Sequence, residues 1–275
     1  MDSHLNPYTM KKLETSACPF HQQHSSNDTD ELAYHSYLKI EELMALCQPV
    51  TSKSGEDVFI RFHQGVEIHF AIFKTVLKAF LSQTNKTVTD WEEGLKRLTN
   101  TLHSITQTFT ILKNCLSAEE FLAFRGDLQP ASGFQSAQFR EIELMSTNLL
   151  CLQANHAKTC PSVSLVQRFC SLYWIADSQT ATVETLRGAL ASNYYHLLDV
   201  AEMYEQTNLY SQYMANTSLK NSEFVTKAMD KYQKALVAFK TGHLMMAKQF
   251  LPDVPEESWR PYLDMSLSIT YFPSL

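Results

Sequence analysis

Two residues of this sequence have types and surroundings that suit ligand chemistry, and the first is Arg125. It ends the segment Phe121-Leu-Ala-Phe-Arg125 and so stands among aromatic and apolar residues. Because a guanidinium keeps its charge in proteins, an arginine in such surroundings requires an anion. That anion is either a ligand carboxylate or a structural partner such as Asp127, Glu141 or Glu143, and the pattern leaves both open.

The second residue is His243, which follows Phe239 by four positions and precedes Met246 and Phe250 by three and seven. These spacings place all four side chains on one helix face. A histidine with bulky apolar neighbours one turn away is typical of an axial haem ligand, since the imidazole reaches the iron while the neighbours cover the porphyrin. The same pattern fits an ordinary core histidine with a hydrogen-bonded ring, so spacing alone does not decide.

Other polar groups have simpler interpretations. His63 and Glu67 lie one turn apart in an apolar segment, which indicates a satisfied buried network. The C-x2-H-x2-H spacing that begins at Cys18 lacks a fourth ligand, so we predict no zinc site there. The pair His156 and Cys160 does not form the C-x-x-C-H motif of covalent haem attachment. The sequence also has no glycine-rich phosphate loop and no nucleophile elbow.

Long helices must position these residues. Seven glycines and nine prolines in 275 residues are too few for a turn-rich β architecture. Apolar residues recur at steps of three and four along the chain, with shorter helices expected over 156–185. The helices predicted from this periodicity and from capping signals span residues 31–48, 58–81, 87–116, 117–129, 134–155, 182–214, 222–251 and 262–275. We therefore predict an all-α helical bundle.

Residues 1–30 are polar and predict a flexible N-terminal arm, followed by a single helical domain over residues 31–275. The arm lacks the apolar core of a signal peptide, and six cysteines show no disulfide-framework spacing, so we expect a cytoplasmic protein. A net charge of −6 without a basic run argues against nucleic-acid binding. The sequence has no stretch of about 18 apolar residues, so we predict no membrane-spanning helix.

The motif Pro-x-Ser-Gly-Phe-Gln-Ser-x-Gln-Phe-Arg, at residues 130–140, is long and specific. With the residues around it, it closely resembles the signature of the tryptophan 2,3-dioxygenase family. Three further segments resemble blocks of that family in the same order: Tyr34-x-x-Tyr37-Leu38, Phe59-Ile-x-x-His63-Gln64-x-x-Glu67 and Thr270-Tyr-Phe-Pro273. The resemblance covers roughly residues 31–275 and is weakest in the middle.

This resemblance implies the family's helical fold and a b-type haem with His243 as the axial ligand of the iron. Phe239 and Met246 would contact the cofactor, and Arg125 would bind the carboxylate of an aromatic amino acid. It also implies a homo-oligomer, a dimer or tetramer, because the family's N-terminal helix reaches a neighbouring subunit's active site. The remaining residues of the implied substrate side are Phe121, Phe59, Tyr34, Tyr37 and Leu38.

Two departures from the family redirect this expectation. Counting back from His63 places Ser54 where we expect the family's distal histidine, so Ser54 is the predicted catalytic hydrogen-bonding group over the iron. The family's Gly-Thr-Gly-Gly-Ser loop is replaced by the segment Pro252–Pro261, whose acidic residues we interpret as solvated surface charge. These differences favour a specialised biosynthetic enzyme over ordinary tryptophan catabolism.

The predicted function is therefore a haem-dependent oxygenase that inserts oxygen, from dioxygen or peroxide, into a tryptophan- or tyrosine-derived amino acid. One alternative is a sensor that binds haem and an amino acid without turnover, which the missing distal histidine favours. The other alternative is a structural relative that has lost the haem.

Overall fold

The computed structural model describes residues 34–128, 136–152, 195–256 and 260–275. All regular secondary structure in these ranges is helical, which confirms the all-α prediction. A 3-10 turn, Gly126–Leu128, follows the sixth helix. Numbered in chain order over the described residues, the helices are α1 Tyr34–Leu38, α2 Ile40–Ala45, α3 Glu56–Ser82, α4 Val88–Gln107, α5 Phe109–Cys115, α6 Ala118–Arg125, α7 Ala137–Ser146, α8 Leu149–Leu152, α9 Tyr195–Tyr204, α10 Leu209–Ala215, α11 Thr217–Lys220, α12 Glu223–Phe250 and α13 Arg260–Leu267.

The chain divides into two compact units, Met1–Leu46 and Cys47–Leu275, so the division falls later than the predicted boundary at residue 30. In the first unit, Lys39 has a left-handed backbone with a φ of 54° and separates α1 from α2. The single helix predicted before Pro49 is therefore two short ones. The predicted flexible arm lies outside the described residues.

Helices α3 and α4 build much of the core of the second unit. Each buries one face at steps of three and four, as the sequence predicts, including Phe70, Phe73 and Leu77 of α3. The helix predicted over 87–116 is instead two helices, because the chain bends at Thr108, whose hydroxyl donates to the carbonyl of Ile105. This bend begins α5.

Helix α12 confirms the prediction over 222–251 and packs along α4. Ser222 caps its first turn, because its hydroxyl accepts the N–H of Val225. Its buried face runs through Met229, Leu236 and Phe239, which brings His243 towards the interior. Of the helices that the structure describes, none combines the length and the apolarity needed to cross a membrane.

Helix α7 is the most deeply buried of the shorter helices. It begins after Ser136, whose hydroxyl accepts the N–H of Phe139, and every residue from Phe139 to Ser146 is buried. It packs against α3 and α9. The buried residues of α7 include charged ones, so α7 depends on groups of opposite charge from other segments.

The C-terminal residues close the core without continuing as a helix. The helix predicted from residue 262 to the end stops at Leu267, and Tyr271 and Phe272 are buried beyond it. The hydroxyl of Thr147 donates to the carbonyl of Tyr271, and the N–H of Phe272 donates to the Gln233 side chain at 2.9 Å. These bonds attach the C-terminal residues to the bundle.

The turn before α3 is held by a buried carboxylate. Glu56 accepts the backbone N–H groups of Val50 and Thr51 at 2.7 and 2.8 Å. Gly55 precedes it with a φ of 84°, a left-handed conformation that favours glycine. A Cβ at Gly55 would also clash with Cδ1 of Leu116. This position therefore favours glycine for its backbone conformation, and an added Cβ would also force the Leu116 side chain to shift.

We predict that Gly55→Ala lowers the free energy of unfolding by about 1–2 kcal/mol, since alanine is strained at positive φ and crowds Leu116. Gly65→Ala is the matched control, because Gly65 lies inside α3 and an added Cβ there contacts nothing within 4 Å. That change should raise the free energy of unfolding by about 0.5–1 kcal/mol. Urea titrations of both variants measure the sign of each change in the free energy of unfolding, and changes of equal sign and size would contradict the prediction.

Candidate active site

One cavity of the second unit lies between helices α3, α5, α7, α12 and α13. Five phenylalanines and two aliphatic residues form the apolar part of its walls, and two histidines, one carboxylate, two cations and two serines form the polar part. The aromatic lining consists of Phe62, Phe70, Phe109, Phe139 and Phe239. A flat, largely apolar ligand with a few polar groups would fit such walls.

His243 lines this cavity from α12. Its ring centroid lies 6.4 Å from that of Phe109, so it stands against the aromatic wall. Burial lowers the pKa of His243 to about 4, and the nearby His63 and Arg140 contribute to that decrease. The imidazole is therefore neutral at neutral pH, which is the form that binds a metal through a nitrogen lone pair.

His63 lines the same cavity from α3. Its Nδ1 lies 2.8 Å from the carbonyl oxygen of Phe59. Because a carbonyl only accepts, Nδ1 carries the hydrogen, and Nε2 of the neutral ring carries the lone pair. Burial lowers the pKa of His63, although the bond to Phe59 and the charge of Glu67 oppose this.

The cavity wall thus contains a histidine that the sequence analysis assigned only to a buried network. The signal was present, since Phe59, His63 and Glu67 recur every four residues on one face of α3. Ser54, the predicted distal group, is elsewhere. Its exposed hydroxyl donates to Glu120 at 3.1 Å beside the first turn of α6, so the structure does not bring Ser54 to the cavity.

Arg125 ends α6 and is half-buried. Its Nη1 is buried and has no hydrogen-bond partner among the described residues. The acids considered as structural partners are otherwise engaged or exposed: Glu141 pairs with Lys74 at 2.9 Å, Glu143 pairs with other cations and Asp127 is exposed. This buried donor is consistent with a site for a ligand carboxylate.

A row of aromatic rings links the helix of Arg125 to the cavity. Phe121, one turn before Arg125, lies 5.6 Å from Phe59 between ring centroids and 5.5 Å from Phe250. Phe59 in turn lies 4.1 Å from the ring of His63. The structure therefore brings Phe59, Phe121 and Arg125 into one neighbourhood, although Arg125 does not line the cavity itself.

Of the other predicted site residues, some line the cavity and some do not. Phe239 lines the cavity, whereas Met246 is buried on α12 outside the cavity lining. Tyr34, Tyr37 and Leu38 lie on α1 of the first unit, where their side chains are exposed.

The segment Pro252–Pro261 is described except for residues 257–259. Asp253 is exposed and Glu256 forms an ion pair with Arg260, which agrees with the interpretation of surface charge. The spacings at Cys18 and at His156 lie outside the described residues. Within the described ranges, no three potential metal-binding side chains of His, Cys, Asp or Glu form a cluster.

A buried charged network lies beside the cavity. The carboxylate of Glu143 is fully buried and is 2.7 Å from each of Arg140 Nη1, Lys240 Nζ and the Tyr271 hydroxyl. Lys240 also donates to the carbonyl of Ser266 at 2.9 Å. Three segments, α7, α12 and the C-terminal residues, therefore meet at one carboxylate.

The pKa values in this network reflect burial and charge together. Burial raises the pKa of Glu143, but Arg140, Lys240 and Tyr271 outweigh it, so the pKa lies below its ordinary value. Burial lowers the pKa of Lys240 to about 8, and the attraction of Glu143 offsets only part of that change. At neutral pH the network is therefore charged.

Comparison with known proteins gives the family of the chain. The family model described as tryptophan 2,3-dioxygenase matches residues 20–156. The chain is a divergent member of this family. The tryptophan 2,3-dioxygenase of Xanthomonas campestris pv. campestris (strain B100) is 31% identical over 120 residues, 42% of this chain and 40% of the relative. That of Anaeromyxobacter dehalogenans (strain 2CP-C) is 35% identical over 119 residues, 42% and 43% of the two chains.

The chain thus spans about two fifths of the length of the curated tryptophan 2,3-dioxygenases it matches. The family match contains Phe59, His63, Phe121 and Arg125 but ends before His243. The place of His243 in the site therefore depends on the structure, in which His243 of α12 and His63 of α3 line the same cavity.

We predict that Glu143→Gln lowers the free energy of unfolding by about 3–5 kcal/mol, because the change leaves buried cations without their carboxylate. Glu223→Gln is the control, since Glu223 is exposed and pairs with Lys227 at the surface, and it should leave stability nearly unchanged. Chemical denaturation of both variants at pH 7 checks the difference. Similar stabilities would show that the network contributes little.

The partly buried His243 predicts a specific pH dependence for the protein without bound cofactor. Its pKa is about 4 in the folded chain, against an ordinary value of 6.5 in the unfolded chain. Between these values the unfolded chain binds a proton that the folded chain does not. The free energy of unfolding should therefore fall as pH drops from 6.5 to 4. The contribution of this histidine is up to roughly 3 kcal/mol.

Urea unfolding at several pH values, compared with His243→Gln, isolates this contribution. The variant should lose less stability at low pH than the wild type. His103→Gln, which changes an exposed histidine of α4, should keep the wild-type dependence. Parallel curves for wild type and His243→Gln would overturn the assignment.

Proposed function

We propose that this protein is a haem-dependent oxygenase that acts on an aromatic amino acid derived from tryptophan or tyrosine. The observation that carries the proposal is the pair of partly buried, neutral histidines, His243 and His63, on the lining of a single cavity that five phenylalanines help to form. Membership of the tryptophan 2,3-dioxygenase family supports a haem cofactor.

The residues present fit a haem group. His243 offers a neutral imidazole for the iron, while Phe109, Phe139 and Phe239 offer apolar surface for the porphyrin. When bound, the haem would supply the activation of dioxygen or peroxide that side chains cannot perform. The aromatic walls would exclude water from the reacting groups.

His63 takes the role that the sequence analysis gave to Ser54. With Nδ1–H donated to the carbonyl of Phe59, the lone pair of Nε2 can accept a hydrogen bond or a proton from a substrate in the cavity. The sensor alternative was favoured by the missing distal histidine. His63 in the cavity wall removes that support, so we favour catalysis.

Arg125 would bind the substrate carboxylate through the Nη1 group that has no partner among the described residues. Phe121 and Phe59 would pack against the aromatic ring and orient it towards His63. The names of the relatives favour tryptophan and dioxygen. The different segment Pro252–Pro261 remains the argument for a modified substrate in specialised metabolism.

The family resemblance also supports a homo-oligomer, dimer or tetramer, in which Tyr34, Tyr37 and Leu38 would contribute to the substrate site of a second copy. Their exposed side chains in the first unit are available for such a contact. We propose a cytoplasmic location, as the sequence composition indicates.

The first test is the absorption spectrum of the purified protein from haem-replete cells. We expect a Soret band that is lost in His243→Ala, because that change removes the axial nitrogen. His103→Ala should retain the band. A colourless wild-type protein that cannot be reconstituted with haem would overturn the proposed function.

The second test addresses the substrate. Arg125→Gln should raise the Kd for tryptophan or tyrosine derivatives about 10- to 100-fold, the usual effect of losing a charge-assisted bond. The corresponding amines, which lack the carboxylate, should bind equally to wild type and variant. Arg97→Gln, which changes an exposed arginine of α4, is the control. Unchanged amino-acid affinity in Arg125→Gln would rule out the carboxylate role of Arg125. A separate analysis of the products formed with dioxygen and with peroxide identifies the oxidant.

A further inference from the structure

Besides His63 and Glu67 of α3, the cavity wall has polar residues contributed by α7, α12 and α13. Arg140 and Lys240 share the carboxylate of Glu143, and Lys240 donates to the carbonyl of Ser266. Ser136 precedes Arg140 by four residues and so lies on the same face of α7. Four of these residues line the cavity: Ser136, Arg140, Lys240 and Ser266.

The ring of Phe139 places the two cations side by side. The guanidinium of Arg140 lies 5.0 Å from its centroid, and the ammonium of Lys240 lies 5.9 Å from it. Lys240 also lies 4.7 Å from the ring of Tyr271. The residue is 5% exposed, so water contributes little to its solvation.

An ammonium group has three N–H donors. Two donors of Lys240 have oxygen acceptors, Glu143 Oε1 at 2.7 Å and the carbonyl of Ser266 at 2.9 Å. The described residues provide no third oxygen acceptor, and the rings of Phe139 and Tyr271 also lie near the ammonium. Since Lys240 lines the cavity, a ligand there can reach the third donor.

The hydroxyl of Ser136 has donor capacity too. Its oxygen accepts the N–H of Phe139 at 3.2 Å, which leaves its hydrogen for another acceptor. Donors from α7 and α12 therefore converge on the same part of the cavity. Such an arrangement suits a group that is anionic and accepts several hydrogen bonds.

We infer that Lys240, with Ser136 and Arg140 beside it, forms a carboxylate-binding subsite that is separate from Arg125. This inference rests on the proposed function, and the carboxylate has two possible sources. One source is a propionate of the porphyrin, which leaves the substrate carboxylate to Arg125. The other is the carboxylate of the amino-acid substrate, which would then bind here in place of Arg125. Both make the same charge-assisted contact, so the experiment must distinguish them.

The test compares carboxylate-bearing ligands with neutral analogues on the full-length protein. Haem is paired with haem dimethyl ester, and tryptophan with tryptamine. Lys240→Gln removes the positive charge but keeps a donor for Glu143, which retains its bonds to Arg140 and Tyr271, so the variant is expected to fold. Lys240→Met serves as a second neutral variant, and circular dichroism checks both.

If the subsite binds a propionate, the neutral variants raise the Kd for haem at least tenfold and leave that for the dimethyl ester within twofold. If it binds the substrate carboxylate, the Kd for tryptophan rises similarly and that for tryptamine does not. Lys240→Arg should restore the wild-type preference in either case, because it restores the charge. Each of these results supports the subsite and names its ligand.

Lys74→Gln is the matched control, since Lys74 is a largely buried lysine that pairs with Glu141 and does not line the cavity. It should leave all four affinities within twofold. The inference is overturned if the Lys240 variants also leave both preferences unchanged.

A wild-type protein that binds neither haem nor tryptophan would contradict the proposed function instead. In that case the subsite is tested by comparing the binding of indole-3-propionate with the binding of its amide. Preference for the acid that depends on Lys240 supports the subsite, and equal binding of the two overturns it.

Discussion

The buried carboxylate of Glu143 is the interaction on which the rest of the second unit depends. An uncompensated charge in a protein interior costs several kcal/mol, so Glu143 can be buried only while its donors stay in place. Those donors, Arg140, Lys240 and Tyr271, come from α7, α12 and the C-terminal residues. Separating any of these segments would leave the buried charges without compensation. Two of the segments, α7 and α12, also form walls of the cavity. The charge network thus fixes the frame in which His243 lies.

Within that frame, the cavity combines two environments with different chemistry. Around His243 and His63, desolvation keeps both imidazoles neutral, which is what a metal ligand and a hydrogen-bond acceptor require. Around Lys240 and Arg140, the carboxylate of Glu143 compensates the charge, so both cations remain charged. A flat cofactor with anionic groups at one edge would meet both conditions, and this correspondence connects the family similarity to the proposed oxygenase function.

Ser54 and His63 show that a position along the chain does not fix where a side chain lies in the site. The sequence predicts Ser54 as the group over the iron, yet its hydroxyl donates to Glu120 near the surface. The sequence predicts a structural network for His63, and its ring does bond to the backbone of Phe59. The same bond fixes which nitrogen has the lone pair, so a structural contact prepares a functional group. The spacing along α3 places His63 on the face of Phe59 and Glu67, but only the tertiary structure decides which helices pack around that face to form the cavity.

The sequence by itself determined the helical class, the extents of α3 and α12, the start of α6 after its capping residue Ser117, and the family, because apolar periodicity, capping residues and a long motif are local signals. Only the tertiary structure decided which of those helices face one another. It brought His243 and His63 to the lining of one cavity, left Nη1 of Arg125 without a partner among the described residues, and joined Lys240 to Glu143 across about a hundred positions of chain. Such long-range pairing arises from the burial of shared charge and aromatic surface, which no window of sequence contains.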